Sequence, residues 1–206
     1  LVMPSDTNNW VYDGLKNKES VYQFYNSHHF EMTWLKDSLA TLADSMLFFL
    51  KSVRLNGLLA QDYHTPEIEG LNAKSIEGTF KLRKEALLTD AFLRLAIDLR
   101  FGRLDSNAMP NNSDSLTLQI LEQALIHGEI KKTLENQEPD HPGYQLLKKS
   151  LKEILNAADT TTRALLFSGV TYDSSALHKQ VQAIEINMER WRLEPATFGD
   201  RYIWIN

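Results

Sequence analysis

The 206-residue chain contains no cysteine. That excludes disulfides, thiolate metal sites and a cysteine nucleophile within these residues, while leaving the compartment open. Long apolar runs are also missing: none approaches the roughly 20 residues a membrane span needs. The opening Leu1-Val2-Met3-Pro4 lacks the charged stretch followed by an apolar stretch that marks a signal peptide. Positive charge is scarce, with 22 Lys and Arg against 27 Asp and Glu, a formal net charge of −5. The densest basic cluster is Lys81-Leu82-Arg83-Lys84. This balance argues against a nucleic-acid partner, which needs clustered cations to neutralise phosphates, and against an anionic membrane surface. Gly-x-Ser-x-Gly, Ser-x-x-Lys with a supporting Lys-Thr-Gly, and Gly-rich phosphate loops are all absent.

What is present is enough for a packed core. Apolar residues make up 43% of the chain, with four Trp, nine Phe and seven Tyr, and a chain of this length buries well over half of its unfolded surface. Length alone allows one domain of upper-middle size or two small ones. Helical periodicity dominates. Trp34, Leu35, Leu39, Leu42, Met46, Phe49, Leu50 and Val53 recur at spacings of three and four and predict one long helix ended at Asn56-Gly57. A second long helix is expected from Glu85 to about Phe101, stopped by Gly102. A third opens near Asp114-Ser115, with Leu118, Leu121, Leu125 and Ile126 on one side, and breaks at Gly128. Residues 104–113 read as loop. Pro142 suits the first turn of a further helix through Leu155, Thr160 to Phe167 forms another, and Ser174-Ser175 caps the last, which runs to about Leu193. Only Arg201-Tyr202-Ile203-Trp204-Ile205-Asn206 changes period, reading as a β-strand. One strand needs partners to be stable. The expected fold is therefore all-α, a bundle-like helical domain over residues 1–200, followed by an orphan strand at 201–206 whose sheet would lie further along the polypeptide. Both ends read as trimmed.

Candidate chemistry is thin. His28-His29 are adjacent, so on a helix they point about 100° apart and cannot share a metal. His64, with Glu67 and Glu69 near it, sits in a Pro-containing segment and reads as a solvated loop; His127 and His141 read as a helix end and a turn. No metal or cofactor is predicted. Asp90 and Asp98 share a helix with roughly 12 Å of rise between them, farther apart than glycosidase carboxyl pairs, and are expected to face solvent. Glu19-Ser20 lies in a polar run without the apolar surroundings that would raise an acid's pKa. Thr160-Thr161-Thr162 reads as a helix start. In Glu189-Arg190-Trp191-Arg192 the Arg residues suit a helix C-terminus and Trp suits a core; the same four residues also suit an interdomain latch, because this helix feeds into the final strand.

The stretch Asn187-Met188-Glu189-Arg190-Trp191-Arg192 … Pro195 … Tyr202-Ile203-Trp204-Ile205-Asn206 resembles the segment leading into the catalytic domain of large bacterial L,D-transpeptidases, "N-[ML]-E-R-W-R-x-x-P" followed by a strand ending "V-N". Weaker matches follow the same family's order: Val21–Tyr25 with Trp34, Asn56-Gly57-Leu58 … Asp62-Tyr63-His64, Leu88-Thr89-Asp90-Ala91 … Asp98-Leu99-Arg100-Phe101-Gly102-Arg103-Leu104, and Pro139-Asp140-His141-Pro142-Gly143-Tyr144. Only about 40 residues separate Tyr144 from Glu189, too few for the peptidoglycan-binding module that many members insert there. The family's "S-H-G-C-x-R" motif is absent, as a cysteine-free chain requires. The resemblance implies a non-catalytic scaffold domain in the periplasm or cell envelope, joined to a catalytic β-domain of the same polypeptide. That domain would make 3→3 peptidoglycan cross-links, and Glu189, Arg190, Trp191 and Arg192 would form the coupling surface. The competing expectation is a free-standing helical protein-interaction module.

Overall fold

The computed structural model describes residues 1–36, 40–73, 78–103, 113–169 and 175–194. Among these the protein is all-α, with α1 (Lys18–Ser27), α2 (Ala40–Ser52), α3 (Thr65–Ala73), α4 (Gly78–Phe101), α5 (Ser113–His127), α6 (Ile130–Glu135), α7 (Pro142–Ala157), α8 (Thr160–Ser168) and α9 (Ala176–Leu193). Short 3-10 turns at Trp10–Tyr12, Val53–Asn56 and Ala60–Tyr63 fill the connections. The β-pairing among the described residues is a single bridge, Val2 to Glu31. Residues 201–206, where a strand is predicted, lie outside the described residues, as do the loop at 104–112 and Pro195.

The molecule is organised around α4. At 24 residues a helix is about 36 Å long, and from Glu85 to Leu99 almost every side chain of α4, apolar or polar, is buried. A helix buried all round needs neighbours on every side, and α1, α3, α5, α6 and α9 supply them. Trp34, Tyr25, Phe24, Met46 and Phe92 fill this first core. A second, smaller core gathers Tyr144, Leu151, Leu155, Leu166, Val181, Ile184 and Met188 from α7, α8 and α9. The Val53–Asn56 turn sits between the two: Val53 belongs to the first core, and Leu55 packs against the second.

Three local expectations are corrected. Trp34 and Leu35 do not open α2; they lie in a bend outside it. Glu85 of α4 holds that bend, its carboxylate accepting backbone N–H groups of Thr33, Trp34 (2.7 Å) and Leu35 (3.0 Å), and this tertiary anchor overrides the helical spacing. The second long helix begins at Gly78, not Glu85. Ile126 does not join the inward face of α5, since it is 73% exposed while Leu121 is buried.

Polar contacts tie the N-terminal segment to α4. Asp90 and Asp98, expected on the surface, are both buried. Asp90 accepts the backbone N–H groups of Lys16 and Asn17 at 3.0 and 2.7 Å and touches His64 Nε2 at 2.6 Å. Asp98 accepts from Tyr63 Oη at 2.8 Å and pairs with Arg94. His64 is thus not a solvated loop residue. Its side chain is 14% exposed and its backbone takes a left-handed φ of +57°. The 3.6-residue period places Asp90 and Asp98 inward whether or not they are polar. The partners of Asp90 come from sequence-distant turns, while Asp98 combines distant Tyr63 with Arg94 one turn away on α4.

Burial alone would raise the Asp90 carboxyl, but the His64 contact and the two backbone N–H groups outweigh it and hold its pKa below the usual range. A carboxyl lowered on folding stabilises the fold above its unfolded pKa, about 3.9, and that contribution fades as pH falls through the lower folded value. Asp90→Asn should therefore cost most stability at neutral pH, and the gap between it and the wild type should close below about pH 4. Urea titrations of both proteins at several pH values measure it; a gap constant down to pH 2 would refute the assignment.

Candidate functional site: a buried charge cluster at the end of the last helix

Ser175 caps α9, its Oγ accepting from His178 N at 3.2 Å, and the helix then runs to the four residues singled out from sequence. On a helix Glu189 and Arg192 share a face while Arg190 points elsewhere, and the structure follows that geometry. Arg192 is completely enclosed, its side chain 0% exposed. Its Nη1 donates to Glu189 Oε2 at 2.8 Å, and its Nη2 donates to the Asn56 carbonyl at 2.5 Å and to Tyr144 Oη at 2.9 Å. The guanidinium also lies 5.5 Å from the Tyr144 ring centroid. Burial pushes the Tyr144 phenol well up, so it stays neutral and accepts. Glu189, likewise buried, takes the Arg103 backbone N–H on its Oε1. Gly102 makes that contact possible: its φ of +72° ends α4, and a Cβ there would sit 3.2 Å from Glu189 Oε1.

The other two residues behave differently. Trp191 is half-buried and stacks on His141, ring centroids 3.9 Å apart and planes 21° apart. His141 in turn caps α7 by accepting Gly143 N at 3.0 Å. Arg190 is exposed and reaches Asn187 Oδ1 at 3.3 Å. Two of the four side chains are thus internal ties, one is a half-covered aromatic, and one faces outward.

A second polar layer surrounds this cluster. Arg54 Nε donates to the Leu166 carbonyl at 2.7 Å, and its Nη1 pairs with Glu185. Asn56 Nδ2 donates to Glu138, which also binds Lys148. Sequence reasoning missed Arg54 and Glu185 altogether and saw Glu138 only as the start of a turn. It did quote Asn56, Arg103, His141 and Tyr144, in three separate short segments, and the fold brings all of them to the end of α9. That spatial convergence is the main structural result.

Gly143 gives a direct test of the stack. A Cβ there would lie 2.6 Å from Trp191 Cζ2, so the ring must move. Although alanine favours helices by up to about 1 kcal/mol, Gly143→Ala should destabilise by roughly 1–3 kcal/mol, the range for overpacking. In a Trp191→Ala background the same substitution should be neutral or stabilising. Chemical denaturation of the four proteins measures the coupling.

Among the described residues the polar side chains of this cluster bond chiefly to one another and to backbone. The His64–Asp90 pair resembles the orienting half of a hydrolytic triad, but Asp90 is sealed within the fold and tied to backbone. Among the described residues no group of three or more His, Cys, Asp or Glu side chains could hold a metal ion. No helix among them is long and apolar enough to cross a membrane. Among the described residues the geometry is that of an all-α domain whose buried polar side chains brace one helix against another. Comparison with known proteins agrees: residues 19–151 match the family described as Scaffold domain, more than half of the chain, and the protein belongs to that family. The match runs from α1 into α7, so the α9 cluster lies beyond it while Asn56, Arg103, His141 and Tyr144 lie within it. No curated protein and no solved structure matches the chain.

Proposed function

We propose that this chain is the non-catalytic scaffold of a peptidoglycan L,D-transpeptidase of the cell envelope, supporting a cysteine-containing catalytic β-domain of the same polypeptide. One observation carries the reading. The segments that resemble that enzyme family, scattered from Asn56 to Arg192, converge on one buried cluster, as expected of a motif selected for holding α9 in place. Membership of the Scaffold domain family supports the supporting role; the specific parent enzyme rests on the motif resemblance.

In this reading the parent's Cys thiolate attacks the carbonyl after the third residue of a stem tetrapeptide, and an amine acceptor resolves the acyl-enzyme. The scaffold contributes no atom to that exchange. Its task is to fix the direction in which α9 hands the chain on. Glu189 and Arg192 fix the helix from inside, and exposed Arg190 with half-buried Trp191 is the part of the coupling surface that would face a neighbouring domain. The alternative, a free-standing helical interaction module, makes a different genetic prediction. The reading frame past Asn206 should encode a β-rich domain containing Ser-x-Gly-Cys if the scaffold reading holds, whereas a stop codon there favours the module.

A further inference from the structure

We propose that the cleft between the Val53–Asn56 turn and α9 binds a free amino-acid head, an ammonium and a carboxylate carried on one carbon. The cleft is half-enclosed, with a volume of about 200 Å³. That is below the range for drug-sized ligands and suits a molecule the size of a small amino acid. Its walls carry opposite charges: Arg54 and Arg103 line it from the side of the first core, and Glu185 and Glu189 line it from α9.

These groups are only partly committed to one another. Arg54 uses Nε for the Leu166 carbonyl and Nη1 for Glu185. Arg103 uses Nη1 for Asp62 at 3.0 Å and sets Nε 3.9 Å from Glu189 Oε1, so the Nη2 group of each guanidinium is the donor left for a guest. Glu185 Oε1 is sealed against Arg54 without a well-formed hydrogen bond, while the side chain as a whole is 18% exposed, which leaves Oε2 for a guest. A carboxylate fits the guanidinium edges in a charge-assisted, two-point geometry, and an ammonium fits the Glu185 side. The wall charges already pair with one another, so a guest adds to a neutral site. One carrying both charges adds an interaction on each wall and keeps the site neutral. One carrying a single charge engages one wall and brings an uncompensated charge into a partly desolvated cleft. Val181 and Ile186 on α9 add an apolar strip for a short side chain, and Gln182 stands at the rim.

This inference does not depend on the transpeptidase reading, and its test uses no cross-linking assay. Backbone amide NMR of the chain would be followed on titration with alanine, with N-acetylalanine (carboxylate only) and with alaninamide (ammonium only). Alanine should cause saturable shifts at Gly57, Arg103 and Gln182 with half-saturation in the millimolar range, and each analogue should bind at least about tenfold more weakly. Arg103→Gln keeps the backbone N–H bond to Glu189 and should weaken alanine binding about tenfold with the spectrum otherwise retained. Gln182→Trp, at an exposed rim position, should block the cleft without unfolding the chain. Equal responses to the three compounds, no saturable response to alanine, or shifts that map elsewhere would overturn the proposal.

Discussion

Arg192→Ala is expected to lower the unfolding free energy by about 3–5 kcal/mol, the range seen when one partner of a buried ion pair is removed. The substitution leaves the Glu189 carboxylate enclosed without its cation and strips donors from the Asn56 carbonyl and Tyr144 Oη. It also opens a hole beside the Tyr144 ring, where the guanidinium lies. Urea denaturation should show the midpoint falling by roughly 1–2 M, since slopes for domains near this size are about 2–3 kcal/mol per M. Removing both charges should be milder than the sum. Arg192→Leu with Glu189→Leu exchanges a buried ion pair for apolar volume, a change that is often close to neutral. A double-mutant cycle should therefore return a coupling of about 1–3 kcal/mol. An Arg192→Ala protein as stable as the wild type would mean that the second core, not the charge cluster, holds α9.

Glu85→Ala is the other substitution with a large expected effect, about 3 kcal/mol or more. Glu85 is fully buried, and its two oxygens accept three consecutive backbone N–H groups, those of Thr33, Trp34 and Leu35. Each buried donor left without an acceptor costs about 1–3 kcal/mol, and water entering the bend recovers part of that. The bend also carries Trp34, whose Nε1 donates to Thr89 Oγ1 at 2.9 Å, so loosening it exposes the largest side chain of the first core. Glu85→Gln retains one carbonyl acceptor and should lose about half as much. Thermal unfolding followed by near-ultraviolet circular dichroism, which senses the Trp34 environment, distinguishes the two variants.

How much of this was legible beforehand follows from what each residue type reveals. Apolar spacing locates α5, α7 and α9 because their inward residues recur at helical spacing and their ends carry Gly128, Pro142 and Ser175; α8 is read from Thr160-Thr161-Thr162, while the residue that caps it is Asp159. The all-α class follows from the same signal. Spacing fails at Trp34 and Leu35, where an apolar pair looks like the first turn of a helix but is held by a carboxylate fifty residues away in the chain. It fails again at Asp90 and Asp98, because charge suggests solvent. Apart from Arg94, one turn from Asp98, the groups that hydrogen-bond them, at Lys16, Asn17, His64 and Tyr63, share no local pattern with them. The α9 residues stood out by motif, but their split into inward Glu189 and Arg192 and outward Arg190 becomes visible only once α4, the Val53–Asn56 turn and α7 are in place. Arg54 and Glu185 carried no signal at all, since each is an ordinary charged residue on an amphipathic segment.

The central claim is that this helical domain supports chemistry performed elsewhere on the same polypeptide, through the end of α9. The most direct measurement is formation of 3→3 cross-links from tetrapeptide-bearing muropeptides, comparing three proteins: the product of the whole reading frame, the same product carrying Trp191→Ala with Arg190→Ala, and the 206-residue chain alone. The account predicts cross-linking by the whole product, a clear reduction in the double substitution with the helical domain still folded, and none from the isolated chain. Cross-linking by the isolated chain, or none from the whole product, would contradict it.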